Sequence, residues 1–383
     1  MSRLNVGNLF NENEDGAPVV SGISTFSSPH YFVPPSGSTA QRPSNPGEGM
    51  IRFNTDSGHL EYYTGTHWAD VITNNNELGN QLVTNSAGGT GHRGLFAGGL
   101  TPTIVDRIDY ISISTQGNSQ DFGDLVSATR LAAGCASAIR GIFAGGNSPS
   151  PTKSNKIDLV TIASTGNALD FGNLTRATNQ HAGCSNSTRG ITAGGDSDPA
   201  VTDIIDYITI ASTGDAVDFG NLLAAREQLS ACASSVRGIF GGGYGGFSAH
   251  NTIQYITIST TGNSQDFGDL TTNRTFAGSC SNSTRGLWGG GMYPTPNNTL
   301  IDFVTIASTG NAQDFGDLTS TGRFLLDACS SSTRGVFGGG YTGLLVDTID
   351  FVTILTTGNG VDFGNLQSTT HSAAACSNGH GGL

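Results

Sequence analysis

Residues 276–318 read Phe276-Ala-Gly-Ser-Cys280-Ser-Asn-Ser-Thr-Arg285-Gly-Leu-Trp288-Gly-Gly-Gly291 and, after a short irregular stretch, Leu300-Ile-Asp-Phe303-Val-Thr-Ile-Ala307-Ser-Thr-Gly310-Asn-Ala-Gln-Asp314-Phe-Gly-Asp-Leu318. Four short β-type runs are written here. An apolar run surrounds Cys280, and a Ser-Thr-Arg-Gly turn leads into Leu287-Trp288. Leu300 to Ala307 alternates with β-branched residues, and the last run carries Asp-Phe-Gly. Gly310-Asn311 supplies the positive φ angles that a tight hairpin requires.

The same wording recurs along the chain. Asp-Phe-Gly begins at Asp121, Asp170, Asp218, Asp266, Asp314 and Asp362. Six cysteines (Cys135, Cys184, Cys232, Cys280, Cys329, Cys376) keep that period, as do Arg-Gly-x-x-x-Gly-Gly blocks beginning at Arg93, Arg140, Arg189, Arg237, Arg285 and Arg334. A unit of about 40–50 residues with four strands predicts the blade of a β-propeller. The first Arg-Gly block lacks a cysteine strand before it, and the last cysteine strand, His371 to Asn378, lacks a glycine block after it. The C-terminal strand is therefore expected to complete the first blade, giving an all-β, six-bladed domain over residues 89–383.

Composition agrees. The chain has 383 residues, 56 of them glycine, and only 12% are charged. Its two lysines, Lys153 and Lys156, cannot furnish the surfaces of long helices, and the glycines follow no collagen period. The net charge of −13 disfavours nucleic acid and anionic lipid as partners. Residues 1–20 lack the pattern of a signal peptide, and no apolar run approaches membrane-spanning length. The expectation is a protein made soluble in its cytoplasm of origin, without membrane insertion.

The repeat resembles the kelch β-propeller family in its double glycine after the second strand, its third-strand aromatics (Tyr110, Tyr207, Phe303, Phe351) and a bulky fourth-strand aromatic. Phe122, Phe171, Phe219, Phe267, Phe315 and Phe363 stand where kelch repeats carry tryptophan, a departure from kelch proper. The resemblance implies a kelch-like propeller.

Repetition argues for structural roles. Cysteines at equivalent positions of neighbouring blades are too far apart to bridge, so they read as reduced, buried thiols, with metal or redox chemistry the alternative. The Asp-Phe-Gly aspartates read as hydrogen-bond partners of an adjacent turn, with calcium the alternative, and the phenylalanine as filler between blades. The turn arginines read as partners of carboxylates or blade-edge carbonyls, or as a docking ring for an acidic partner. No histidine sits in a metal-binding spacing, and no singular nucleophile, base and acid stand out from the repeat. No enzyme activity, catalytic residue, metal or cofactor is expected.

Variation argues for recognition. Loops after the second and fourth strands open on one face. The second-to-third connections differ in every unit: 100–106, 147–156, 196–203, 244–252, 292–299 and 341–347. They carry Tyr244, Phe247, His250, Met292, Tyr293, Tyr341 and Leu344, the candidate binding residues. Drift in unconstrained loops is the competing explanation.

The N-terminal part carries no repeat. Residues 1–48 read as an extended β-rich arm with short strands at Val19 to Ile23 and Tyr31 to Val33. Residues 49–71 read as a small β-hairpin module, and 72–88 as a linker. Ile51, Phe53, Leu60 and Tyr62 alternate, and a second turn brings in Trp68; these five are the candidate attachment or oligomer residues, because so small a meander cannot bury enough apolar surface alone. The run from Arg42-Pro43 through Gly49-Met50-Ile51-Arg52-Phe53-Asn54-Thr55 to Leu60-Glu61-Tyr62-Tyr63 and Gly65-Thr66-His67-Trp68 is similar to a module of tailed-phage fibre and structural proteins, cyanophages especially. The blade wording is similar to repeats in those proteins. The resemblance implies a virion protein assembled in the host cytoplasm. Residues 1–88 would join other virion proteins, as part of a homo-oligomer with a trimer favoured. The propeller would be displayed toward host-surface glycan or protein, or would serve as a purely structural decoration or joint subunit.

Overall fold

A computed structural model describes residues 34–56, 59–70, 92–149, 152–292, 298–319 and 322–383. The chain divides into two units, Met1–Leu82 and Val83–Leu383. The expected strands at 19–23 and 31–33 and the linker 72–88 lie outside the described residues. Both units are all-β: among the described residues the only helix is a 3-10 turn at Thr39–Gln41, and none is long and apolar enough to cross a membrane.

Among the described residues the larger unit holds six antiparallel sheets built on four strands, in sequence order in sheets 2 to 6, and two short two-stranded pairs, Thr178–Asn179 with Asp196–Ser197 and Leu100–Thr101 with Thr103–Ile104. Sheet 2 sets the pattern with Ala133–Ala136, Arg140–Ala144, Lys156–Thr161 and Leu169–Asn173. Sheets 3, 5 and 6 follow it from Ala182–Ser185, Gly278–Ser281 and Asp327–Ser330. Sheet 4 has a longer opening hairpin, Glu227–Ala233 with Arg237–Gly245, and a fifth strand, Ser248–Ala249, folded back on it. In sheet 1 the opening strand comes from the far end of the chain: Ala374–Ser377 pairs with Arg93–Ala97, followed by Arg107–Ser112 and Gln120–Asp124.

The repeated residues fasten each sheet to the next, and every set of ties returns from sheet 6 to sheet 1. Each cysteine sulfur lies over the glycine of the next Arg-Gly block. A Cβ on Gly286 would stand 2.6 Å from Cys232 Sγ, and one on Gly335 2.7 Å from Cys280 Sγ; Cys329 faces Gly94 in the same way. Two markers that look independent in sequence are therefore the two halves of one contact. The expected result of Gly335→Ala is a loss of about 1–3 kcal/mol from overpacking. Cys280→Ala in the same chain should recover most of it, read from urea midpoints in a double-mutant cycle.

The turn arginines make the second set of ties. From Arg93, Arg140, Arg189, Arg237, Arg285 and Arg334, Nη1 donates to the carbonyls of Ile162, Ile210, Ile258, Ile306, Ile354 and Ile113 in turn. Five of the six lie over their own sheet's third-strand aromatic, as Arg189 over Tyr207 at 4.6 Å. The third set uses the hairpin turns: Gly166 N–H donates to Phe122 O at 2.7 Å, and Asn167 Oδ1 accepts Asp124 N–H at 3.1 Å. Gly117 closes this set on Phe363 O at 2.8 Å. The Asp-Phe-Gly glycines make room for it, since a Cβ on Gly123 would lie 2.5 Å from Gly166 O. The Asp-Phe-Gly aspartates themselves are exposed, and Asp314 caps only its own Gly316 N–H. Carboxylates of the third strands do reach across. Asp158 accepts Val126 N–H at 2.9 Å and Asp302 accepts Thr271 N–H at 3.0 Å. Asp109 closes this fourth set on Gln367 N–H at 3.1 Å.

The apolar core lies between sheets. Phe219 and Leu222 of sheet 3 pack in one cluster with Ile256 and Ile258 of sheet 4, each such side chain worth roughly 1.5–3 kcal/mol of burial. All six cysteines are free and buried, and burial pushes their thiols up, Cys135 to about 12, so they stay protonated and unreactive at neutral pH.

In the smaller unit one sheet runs Ser36–Gly37, Ile51–Asn54, His59–Tyr63, Trp68–Asp70, the first pair parallel. Alternation puts Arg52, Asn54 and Glu61 on its covered face, where Glu61 meets Arg42 at 2.5 Å and Arg52 at 3.5 Å. The other face carries the cross-strand pairs Ile51–Tyr62 and Phe53–Leu60, with Ile51, Phe53 and Tyr62 exposed. Trp68 does not join that apolar face. Its register opposite Tyr63 places it on the Glu61 side, 5.5 Å from the Tyr63 ring and 5.8 Å from the Arg42 guanidinium.

Candidate functional site

At or just before the start of its opening strand, each of the six sheets carries a non-glycine residue in the left-handed region: Leu131, Gln180, Gln228, Phe276, Leu325 and Ser372, with φ of 58, 54, 60, 53, 57 and 58°. This conformation costs an ordinary side chain about 1–2 kcal/mol. The gain is a closed hoop of backbone hydrogen bonds. Gln180 N–H donates to Leu131 O, Gln228 to Gln180, Phe276 to Gln228, Leu325 to Phe276, Ser372 to Leu325, and Leu131 back to Ser372. Their lengths are 3.0, 2.7, 3.0, 3.1, 2.8 and 2.9 Å in that order.

The hoop rims a cavity of about 130 Å³ lined by the opening strands of all six sheets. Gly379–Leu383 crosses the cavity's opposite end. There His380 Nε2 donates to Ala136 O at 2.8 Å while its Nδ1 accepts Gly382 N–H, and Gly381 N–H donates to Ser281 O. Both imidazole nitrogens are thus committed in the neutral form, and burial holds the group below the ordinary histidine range.

Outside the hoop a second set of positions repeats in backbone and differs in side chain. The residue before each hoop member pairs with the first residue of a variable segment: Arg130 with Asn147, Asn179 with Asp196, Glu227 with Tyr244, Thr275 with Met292, Phe324 with Tyr341, and His371 with Leu100. Tyr244, Met292 and Tyr341 are therefore equivalent residues of three sheets, brought together around one mouth. Tyr341 stands edge-on to Phe324 and His371, at ring distances of 5.6 and 5.8 Å. Phe247 sits at the tip of the sheet 4 hairpin, 96% exposed at φ 69°. Leu344 is 77% exposed at the corresponding loop of sheet 6. His250 braces that hairpin, its Nε2 lying 2.9 Å from Gly245 O. Tyr293 lies outside the described residues.

The other side of the mouth is polar; its lysine and two aspartates fall in the variable segments 147–156 and 196–203 but are not among the candidate binding residues. Lys153 Nζ reaches Asp196 at 2.8 Å and Asp198 at 3.0 Å. Burial acts to lower the lysine, but its two carboxylate partners outweigh that and hold it above its ordinary value. Glu227 stands near this group, raised by burial and by the Asp196 charge, and accepts from Gln228 Nε2 at 3.2 Å. Asn179 donates to Asn147 at 2.7 Å, while Asn179 Oδ1 and Gln180 Oε1 are buried without a partner. Three separate units supply these residues, so no local motif announces them. What is visible locally is that the positions four and five before each cysteine vary while their surroundings repeat.

Within the cavity wall one residue breaks the repeat. Asp327 stands two positions before Cys329, where the other sheets have Ala133, Ala182, Ser230, Gly278 and Ala374. Its carboxylate accepts Ala328 N–H at 2.8 Å and Ala375 N–H at 2.7 Å, and burial pushes its pKa from 3.8 to about 7. The folded protein therefore holds this proton up to about pH 7, whereas the unfolded chain releases it near pH 4. Stability from this group is present below pH 4 and is lost as pH rises toward 7. His181, held at about 3 by burial and then by Arg176, has the opposite slope, losing stability as pH falls below its ordinary value. Comparing Asp327→Asn with the parent isolates the aspartate: the variant should gain stability relative to the parent between about pH 4 and 7, read from urea midpoints. An unchanged difference across that interval contradicts the assignment.

No protein-family model matches the chain, and no curated protein matches it. Among the described residues no group of three or more His, Cys, Asp or Glu side chains is placed to hold a metal.

Proposed function

We propose that the six sheets are the blades of a kelch-like β-propeller and that the chain is a virion appendage protein of a tailed phage. The smaller unit anchors it among other virion proteins, in a homo-oligomer for which a trimer is favoured, and the propeller recognises the host surface. The observation that carries the recognition reading is the mouth: a repeated backbone pairing that presents a different pair of side chains in each sheet. Repeated residues serve packing, so the differing ones are free to serve a ligand. The exposed Phe247, held at positive φ where a turn ordinarily takes Gly or Asn, supports it, because strain at a loop tip is retained where the side chain is used. The virion assignment rests on the resemblance of residues 42–68 and of the blade wording. The exposed Ile51, Phe53 and Tyr62 fit an attachment or oligomer face.

The test is binding of the full chain to host cells, with Tyr244→Ser, Phe247→Ser and Tyr341→Ser combined in one variant. The expected result is saturable binding reduced at least tenfold by the triple change, with the unfolding midpoint retained. A second reading, a structural joint or decoration subunit, draws on the apolar character of Phe247 and Leu344, which suits a protein neighbour. Absence of cell binding by the oligomeric parent chain decides for it.

A further inference from the structure

We infer that the central cavity is a binding site for a small organic ammonium group, with Asp327 as its counter-ion. The site is separate from the loop tips and does not depend on the host-recognition reading.

Among the described residues Asp327 is the only carboxylate lining the cavity, and no lysine or arginine lines it. Of the two histidines in the lining, His380 at the floor has both nitrogens committed and is neutral, and burial holds His181 at about 3. A carboxylate taken out of water without a cation is costly, and five of six sheets build the same strand without one. Capping the Ala375 N–H explains an acceptor at this position but not a charge, since an asparagine oxygen caps that group too and gives up only the bond to Ala328 N–H. Each carboxylate oxygen accepts one backbone N–H and keeps a second lone pair for a ligand.

The rest of the lining fits the same ligand. The hoop's N–H groups are all spent on its own carbonyls, so the rim offers a guest no backbone donor. Gln180 is one of the lining residues, and its Oε1 is buried without a donor. An unpartnered acceptor and a lone carboxylate both call for a guest that donates, and a primary ammonium carries three donors. Leu131, Phe276 and Leu325 line the same mouth and suit the alkyl part, the Phe276 ring adding cation–π attraction. A divalent metal suits the cavity poorly, because hard cations take six or more oxygen ligands.

The experiment is calorimetric titration of the full chain with n-butylammonium, against n-butanol as the neutral isostere, at about pH 8.5, where Asp327 is ionised and the amine still protonated, in about 150 mM KCl so that inorganic cations and surface charge are screened. The expected result is saturable binding of butylammonium and none of butanol. Asp327→Asn, which keeps the cap on Ala375, should weaken butylammonium at least tenfold with an unchanged fold by circular dichroism, and Phe247→Ser should leave it unaltered. Equal binding of butanol, no binding of butylammonium, or an Asp327→Asn chain that binds like the parent overturns the proposal. Nα-acetyl-lysine methylamide and glucosamine, titrated in parallel, distinguish a protein side chain from an amino sugar as the source of the group. Host-cell binding that persists while butylammonium fails separates this site's failure from that of the recognition reading.

Discussion

A chain ending at Ala373 is expected to lose cooperative unfolding altogether. The segment it lacks supplies the opening strand of sheet 1, Ala374–Ser377, and the Ser377 hydroxyl that donates to Ser330 O at 2.6 Å. It also supplies Cys376, whose sulfur packs against the Gly141 position of sheet 2, and the floor of the cavity. Without it Arg93–Ala97 becomes an open inner edge, and sheets 6 and 2 lose their neighbour. The lost contacts are worth about 5 kcal/mol or more, comparable with the whole margin of a typical domain, and the exposed edge invites association. Thermal melting by circular dichroism and size exclusion together test this. A truncated monomer that melts cooperatively within a few degrees of the parent contradicts the closing role of the strand.

The second large effect is expected at Asp302. Its carboxylate and the Arg274 guanidinium meet at 2.9 Å with side-chain exposures of 0 and 1%. Asp302 also accepts from the Thr271 N–H and hydroxyl, and Arg274 donates to the carbonyls of Trp288, Gly290 and Leu300. Asp302→Ala leaves a buried cation without its counter-charge, which costs about 3–5 kcal/mol. Replacing both partners by apolar residues, Asp302→Leu with Arg274→Met, should recover much of that loss. Denaturant midpoints of the single and double variants decide between a charge effect and a packing effect: a double variant as weak as the single one assigns the cost to the Thr271 bonds and the carbonyls. Sheet 4 offers a natural comparison, with Gln254 at the equivalent place and Arg226 left with only a 3.4 Å contact to Gly242 O.

The strand layout was legible because each strand carries a marker that the period repeats. The partnership between markers was not. Cysteine and the glycine of Arg-Gly are separated along the chain, and only the packing of one sheet on the next shows that the sulfur occupies the space a Cβ would need. The hoop was hidden for another reason: positive φ is ordinarily announced by Gly or Asn, whereas leucine, glutamine, phenylalanine and serine stand there, held by the closed set of hydrogen bonds rather than by propensity. Reading the second-to-third connections as the variable face found Tyr244, Met292 and Tyr341 but not Glu227, Asn179 or Phe324, because their pairing joins residues on either side of a hairpin. Lys153 and Asp196, 43 residues apart, meet only when sheets 2 and 3 lie side by side. Asp327 was readable as the single acid in a column of small residues, but its meaning depends on the cavity beside it.

The hoop has an electrical consequence. Its six N–H groups are all spent on its six C=O groups around a closed path, so the hoop has no end at which unpaired donors or acceptors gather. A helix end, by contrast, aligns its amides and projects a fixed partial charge. The potential at the mouth is accordingly set by side chains, by Lys153, Asp196, Asp198, Glu227 and Asp327. Its sign can therefore be rewritten by substitution while the supporting backbone stays as it is.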